Sequence, residues 1–183
     1  MILILLGTQD QPFERVLKET SKLIKNKVIK EKVVAQVGCT KYTDDKIEMF
    51  DFCSKDEIQN YINKARIVIS HAGVGTITEC IENGKKVIVI PRLKKYKEHA
   101  NDHQVQITKE FAAKEYILPV YDIKKLGKAL EDIKKFKPKK YESNSENFKE
   151  LISNNLENVN SNVSALRLDY LLGIRDNNNH VPT

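Results

Sequence analysis

The sequence predicts an α/β fold: a single Rossmann-like domain whose mostly parallel sheet carries helices on both faces. Three observations lead there. Short apolar runs alternate with helix-like segments from residue 2 to about residue 134, the rhythm of repeated βα units. One of these units, residues 66–82, runs in order through an apolar stretch, a glycine turn and the start of a helix. A chain of 183 residues suits one such domain and can bury a sizeable core.

Residues 2–6 (ILILL) are the first expected strand, ending at Gly7-Thr8. They lack the basic start and the length of a secretion signal, so a buried strand is the better reading. Residues 13–26 follow as a helix, with Phe13, Val16, Leu17, Thr20, Leu23 and Ile24 on one face. Residues 32–37 form a second strand and residues 47–52 a short third one. Ser54 then offers an N-cap, and Glu57 completes a capping box ahead of a helix to about Ala65. A strand over 66–70, a helix over 76–83 closed by Gly84, a strand over 87–90 and a helix over 102–114 come next. A last strand over 116–120 and a helix over 123–134 complete a domain set at residues 1–135. Beyond it, Phe148, Leu151, Ile152, Leu156 and Val159 keep helical spacing, which predicts a helical extension within 136–175. A second apolar cluster spans 163–174, and the Asn-rich residues 176–183 read as a disordered tail.

Apolar content of 40% and charged content of 31% describe a globular, soluble chain. Its apolar runs fall far short of the roughly 20 residues of a membrane span. Cys39, Cys53 and Cys80 show no metal-ligand spacing. An odd count without a secretion signal points to reduced cytosolic thiols that serve as small apolar fillers. The formal charge is +6, and residues 124–140 alone hold eight lysines against Glu131 and Asp132. Such a stretch is either a solvated helix face or an attraction to an anionic membrane surface or acidic partner. Nucleic acid is disfavoured, because only Phe136 and Tyr141 lie near these lysines and no stacking platform is apparent.

The segment HAGVGTITE, residues 71–79, concentrates the chemistry. Gly73 and Gly75 let backbone N–H groups approach an anion at a helix N-terminus, where the peptide dipoles add positive partial charge. Thr76 can cap that helix or donate to a phosphate. Glu79, one turn inside, is placed for a ribose diol. After the next apolar run come a polar loop over 92–100 and then Asn101-Asp-His-Gln104. In this architecture ligands bind beyond the carboxyl ends of the strands. Gly7-Thr8, Gly38, Phe52, residues 71–76 and residues 92–104 all follow expected strands and gather at that rim.

The run ISHAGVGTITECIENGKKVIVIPRLKKYKEHANDHQVQI resembles the donor-binding C-terminal domain of glycosyltransferase family 28. The opening LGTQDQPFER, residues 6–15, is similar to the start of the subfamily in which that domain stands alone. That subfamily includes the soluble subunit of the eukaryotic dolichol-linked chitobiose synthase and bacterial exopolysaccharide subunits of the PssE type. The likeness covers roughly residues 1–135 and implies the C-terminal half of a GT-B glycosyltransferase. It also implies roles. Glu79 receives the ribose hydroxyls; Ser70, His71, Gly73, Gly75 and Thr76 line the diphosphate; His103 and Gln104 meet the donor sugar. Gly7, Thr8 and Gln9 form a backbone-lined edge opposite the diphosphate. Gln36 and Gly38 lie near the nucleotide, and the backbone around Phe52 reads the uracil edge. Arg92, with Lys94 and Lys95, can neutralise diphosphate charge or face an anionic membrane.

His71, Glu98 and His99 are the candidate catalytic groups, with the base alternatively supplied by a partner. Each site residue also has a plainer reading. Glu79 is then a surface glutamate, His71 a structural hydrogen-bonder, and Glu98 and His99 parts of a flexible loop. Asp102 is favoured as an N-cap. No Asp-x-Asp signature occurs, and Asp44-Asp45 reads as a turn. Neither metal nor cofactor is implied, since backbone dipoles and basic side chains can stabilise a leaving diphosphate.

The resulting expectation is the donor-binding, catalytic subunit of a two-component inverting hexosyltransferase. It would move a sugar from a UDP-sugar to a lipid-diphosphate-linked acceptor in bacterial exopolysaccharide or capsule synthesis. The chain is shorter than a two-domain nucleotide-sugar transferase, so the acceptor site is expected on a membrane-associated partner. That partner would hold it peripherally at the cytoplasmic face, with residues 163–174 a candidate docking segment. The rival readings are a non-catalytic accessory subunit that stabilises or recruits a partner transferase, and a nucleotide-sugar epimerase on the same fold.

Overall fold

Six short strands meet side by side at the centre of the computed structural model, which describes residues 1–141. They are β1 (Ile2–Leu5), β2 (Val33–Gln36), β3 (Glu48–Phe50), β4 (Ile67–Ser70), β5 (Lys86–Val89) and β6 (Leu118–Pro119). Their order in the sheet is β3-β2-β1-β4-β5-β6, and every neighbouring pair is parallel. The chain therefore leaves β1 in one direction, returns, and leaves β4 in the other. The crevice between β1 and β4 is the topological switch point at which ligands of such sheets bind.

Apolar residues fill both faces of the strands, and this is why β1, β2 and β4 carry no exposed position. Side chains alternate between faces along a strand. Ile2 and Ile4 join Ile67, Ile69, Ile88 and Ile90 in one core cluster. Helix α1 (Glu14–Lys25) adds Val16, Leu17 and Leu23 to that cluster, and α5 (Leu126–Lys135) adds Leu126, Ala129, Leu130 and Ile133. Leu3, Leu5, Val34, Val68 and Val87 are equally buried but point the other way. Helices α2 (Lys55–Lys64), α3 (Val74–Glu82) and α4 (His103–Ala113) complete the set. Lysines close two helix ends, where carbonyls lack partners. Lys86 Nζ donates to the carbonyls of Ile133 and Lys134, at 3.1 and 2.8 Å, and Lys85 Nζ to those of Asn63 and Ala65.

The capping box at Ser54 and Glu57 is formed as expected. Other boundaries move for identifiable reasons. Helix α3 starts at Val74, two residues before the expected start, because Gly73 rather than Thr76 is its N-cap. The last strand shrinks to two residues, since Glu115 takes a left-handed turn and Pro119 has no N–H to give the ladder. Residues Ile123–Lys125 form a 3-10 turn ahead of α5. The compact unit runs over Met1–Tyr141, six residues past the expected boundary. Lys139 N donates to the Glu115 carbonyl at 3.1 Å, and the Tyr141 ring meets Tyr116 edge-on. The expected helical extension, apolar cluster and tail lie otherwise outside the described residues. Among the described residues no helix is long and apolar enough to cross a membrane.

Candidate functional site

The loop between β4 and α3 lies at the switch point. His71 N still donates to the Leu5 carbonyl at 3.1 Å, so the loop leaves the sheet from a fixed position. The His71 ring then folds back on its own loop, its Nδ1 accepting from Gly73 N at 2.9 Å. The ring occupies space that side chains would need. A Cβ on Gly7 would stand 2.6 Å from His71 Nε2, and one on Gly73 would stand 2.2 Å from Cε1. These two glycines make room for the imidazole. Burial, followed by the charge of Arg92, pushes the His71 pKa down to about 3. A neutral ring whose Nδ1 lone pair is engaged carries its proton on Nε2. In this arrangement His71 presents a hydrogen-bond donor at Nε2.

Helix α3 begins immediately afterwards, and its first bond within the helix is from Ile77 N to the Gly73 carbonyl at 3.0 Å. The N–H groups of Val74, Gly75 and Thr76 belong to the first turn, which has no carbonyls of its own to serve them. A Cβ on Gly75 would meet nothing within 4 Å. That space is open to an anion. Thr76 stands at the third helical position with its hydroxyl free of any capping role. Glu79 lies four residues after Gly75 and three after Thr76, on the same helix face and partly exposed. Ser70 is buried beneath the loop, and its Oγ finds no hydrogen-bond partner.

On the β1–β3 side of the crevice the backbone is already occupied. Gln36 accepts from Gly7 N at 3.1 Å and donates to the carbonyls of Gly7 and Asp51, both at 3.2 Å. Gly38, with φ +54°, sits so close that a Cβ would stand 2.3 Å from the Gly7 carbonyl oxygen. At the expected Gly7–Gln9 edge, the Gly7 N–H and carbonyl both bond the Gln36 side chain. Thr8 and Gln9 are exposed beyond it, and Phe52 is 57% exposed past the end of β3.

On the β5 side the expected donor-binding residue Arg92 and the expected acid–base groups Glu98 and His99 make hydrogen bonds within the protein. Arg92 is 1% exposed. Its Nη1 donates to the carbonyls of Gln11 and Glu98 at 2.6 and 3.1 Å, and its Nη2 to that of Leu6 at 2.8 Å. Burial draws its pKa down to about 10, and its plane lies over the Phe13 ring. It pins the rim from inside and does not face a diphosphate. Glu98, expected as an acid–base group, is buried with both oxygens engaged. Oε1 accepts from Arg15 Nε at 2.7 Å and Oε2 from Leu93 N at 3.0 Å. His99 repeats the His71 pattern: Nδ1 accepts from Asn101 N at 3.3 Å, and burial, then Arg92, lowers its pKa.

The Gln104 side chain is buried, and its Oε1 accepts from both Ala72 N at 3.1 Å and Arg92 N at 3.0 Å. His103 opens α4, partly exposed, with Nδ1 3.2 Å from Gln106 Oε1. Asp102 occupies the N-cap position, yet its carboxylate accepts from Lys94 N at 2.9 Å and caps nothing. Lys94, Lys95 and Tyr96 are exposed on a 3-10 turn. Asp44 accepts from Ser21 and from Lys46 N within a turn. Among the described residues no group of three His, Cys, Asp or Glu side chains is arranged to hold a metal ion.

Residues 1–158 match the family model of the glycosyltransferase family 28 C-terminal domain, and the chain belongs to that family. Two relatives carry the name "UDP-N-acetylglucosamine transferase subunit ALG13". The one from Candida albicans is 33% identical over 89 residues, covering 49% of this chain and 29% of the relative. The human one is 39% identical over 56 residues, covering 31% of this chain and 5% of the relative. The matched part is thus under a third of either protein. Among solved structures, the glycosyltransferase of kitacinnamycin aligns with TM-score 0.54 at 14% identity, over 72% of this chain and 34% of its own. The spinosyn forosaminyltransferase SpnP aligns with TM-score 0.51 at 12% identity, over 94% and 44%. Both likenesses concern the fold, one half of a GT-B glycosyltransferase.

Proposed function

We propose that this member of the glycosyltransferase family 28 C-terminal domain family is the donor-binding subunit of a two-component inverting transferase that uses a UDP-sugar. The observation that carries the proposal is the open first turn of α3. Three unserved N–H groups share one turn with the unobstructed Gly75, and Glu79 shares their helix face. A diphosphate at the N–H groups and a ribose diol at Glu79 would satisfy all of these at once. The names of the two relatives make UDP-N-acetylglucosamine the first donor to try. Those relatives are eukaryotic, so they lend no support to a bacterial exopolysaccharide setting, and we set that context aside.

The acceptor in this reading is a lipid-diphosphate-linked sugar held by a membrane-associated partner, which also keeps this subunit at the cytoplasmic face. Its hydroxyl oxygen bonds to the anomeric carbon as the carbon–phosphate oxygen bond breaks, and UDP leaves with the bonding pair. The hydroxyl proton goes to a base. Nδ1 of His71, Nδ1 of His99 and both Glu98 oxygens are engaged, which favours a base on the partner.

Calorimetric titration with UDP and UDP-N-acetylglucosamine tests the proposal. Wild type is expected to bind both, and Glu79→Ala to weaken each by about 30-fold, the worth of a hydrogen bond to a charged group. A wild-type chain that binds neither, alone or with its partner, would make it the accessory subunit instead. Turnover of the donor by the pure chain without acceptor would revive the epimerase.

A further inference from the structure

We infer that Gln104 is a positioning residue that shapes the anion-binding turn. The inference deepens the donor-site reading given above and rests on it for its ligand, though its geometric half stands alone. One oxygen, Gln104 Oε1, accepts from Ala72 N at 3.1 Å and from Arg92 N at 3.0 Å. Both lone pairs of that oxygen are filled, so it has none for a sugar hydroxyl. The two donors are the second residue after β4 and the third after β5, so a single carboxamide ties the ends of neighbouring strands.

The consequence falls on the adjacent loop. Ala72 N is held by Gln104, and Gly73 N by His71 Nδ1 at 2.9 Å. Two successive N–H groups are thus turned inward, and the next three, of Val74, Gly75 and Thr76, are left to the ligand. Gln104 is itself held in place. It is buried, and its backbone carbonyl accepts from Thr108 Oγ1 at 2.7 Å. A residue that reads sugar should discriminate between UDP and UDP-sugar. One that sets the turn should affect both alike, since the shared diphosphate meets the turn.

The experiment compares wild type, Gln104→Leu and Gln104→Glu, with Leu130→Ala beneath α5 as the control for lost stability alone. Amide hydrogen exchange in the ligand-free chain and titration with UDP and UDP-N-acetylglucosamine are both measured. Gln104→Leu is expected to speed exchange at Ala72 and Arg92 and to weaken both ligands by the same factor, about tenfold. Gln104→Glu keeps an acceptor oxygen and should restore protection and most of the affinity, whereas Leu130→Ala should leave both affinities unchanged. If Gln104→Leu fails to fold, Gln104→Asn shortens the reach by one methylene and replaces it. Unchanged exchange at Ala72 and Arg92, or loss of UDP-N-acetylglucosamine affinity alone, would overturn the inference. A wild type that binds neither ligand would sink the donor-site reading, and the exchange result would then decide the role of Gln104 by itself.

Discussion

The two halves of the rim are each tied by a glutamine, and they differ in what is left over. On the β1–β3 side, Gln36 uses both ends of its carboxamide on the backbone of Gly7 and Asp51, and Gly38 packs against the same carbonyl. On the β4–β5 side, Gln104 uses one oxygen on two N–H groups, and the first turn of α3 remains unserved. Equal glycine content therefore does not mean equal function. Gly7, Gly38 and Gly73 relieve crowding inside the protein, while Gly75, alone among these four rim glycines, faces open space.

The sharpest way to break the closed half is Gly38→Ala. Its left-handed backbone penalises any Cβ, and the atom that Cβ would strike is a carbonyl oxygen held by Gln36. Neither can give cheaply, so a loss of about 3 kcal/mol is expected in chemical denaturation. An effect below about 1 kcal/mol would mean that this half is more plastic than its hydrogen bonds suggest.

The open half should be the pH-sensitive one. His71 is held at about 3 in the folded chain against an ordinary value of 6.5, so unfolding takes up a proton anywhere between. The stabilisation is complete above about pH 6.5 and drains away as pH falls toward 3. Between pH 7 and pH 5, above the carboxylate range, the loss from His71 comes to about 2 kcal/mol. His99, also lowered, adds in the same direction. His71→Asn keeps an oxygen that can accept from Gly73 N, so it should flatten the profile of denaturation midpoints without removing the turn. An unaltered slope in that variant would place the titration elsewhere.

The order of elements and the crowding of loops at one rim were legible from the alternation of apolar runs, because strand burial on both faces leaves a periodic trace. The Ser54–Glu57 capping box was legible too, since it is local in sequence. What stayed hidden was which polar groups point inward. Arg92, Glu98 and Gln104 look like ligands in a polar loop, yet their partners lie 86, 83 and 32 residues away, at Leu6, Arg15 and Ala72. Spacing within a motif carries no record of such contacts. His71 was ambiguous for a similar reason. The N–H that its Nδ1 accepts is only two residues off, but the burial that keeps the ring neutral comes from the whole rim.

Gly75→Ala has the smallest expected effect and separates the two halves most cleanly. Gly75 has no left-handed conformation to protect and no neighbour within 4 Å of a new Cβ. Alanine is also the better helix former, so stability should hold or rise by up to about 1 kcal/mol. The new methyl group would nonetheless stand where the backbone must come close to the diphosphate. UDP affinity is then expected to fall about tenfold, or ~1.4 kcal/mol, while the melting temperature does not. Gly38→Ala should show the reverse, with stability lost from the half that already serves its own backbone. Should Gly75→Ala bind UDP as wild type does, the anion does not sit on the first turn of α3, and the asymmetry between the halves has no bearing on the donor.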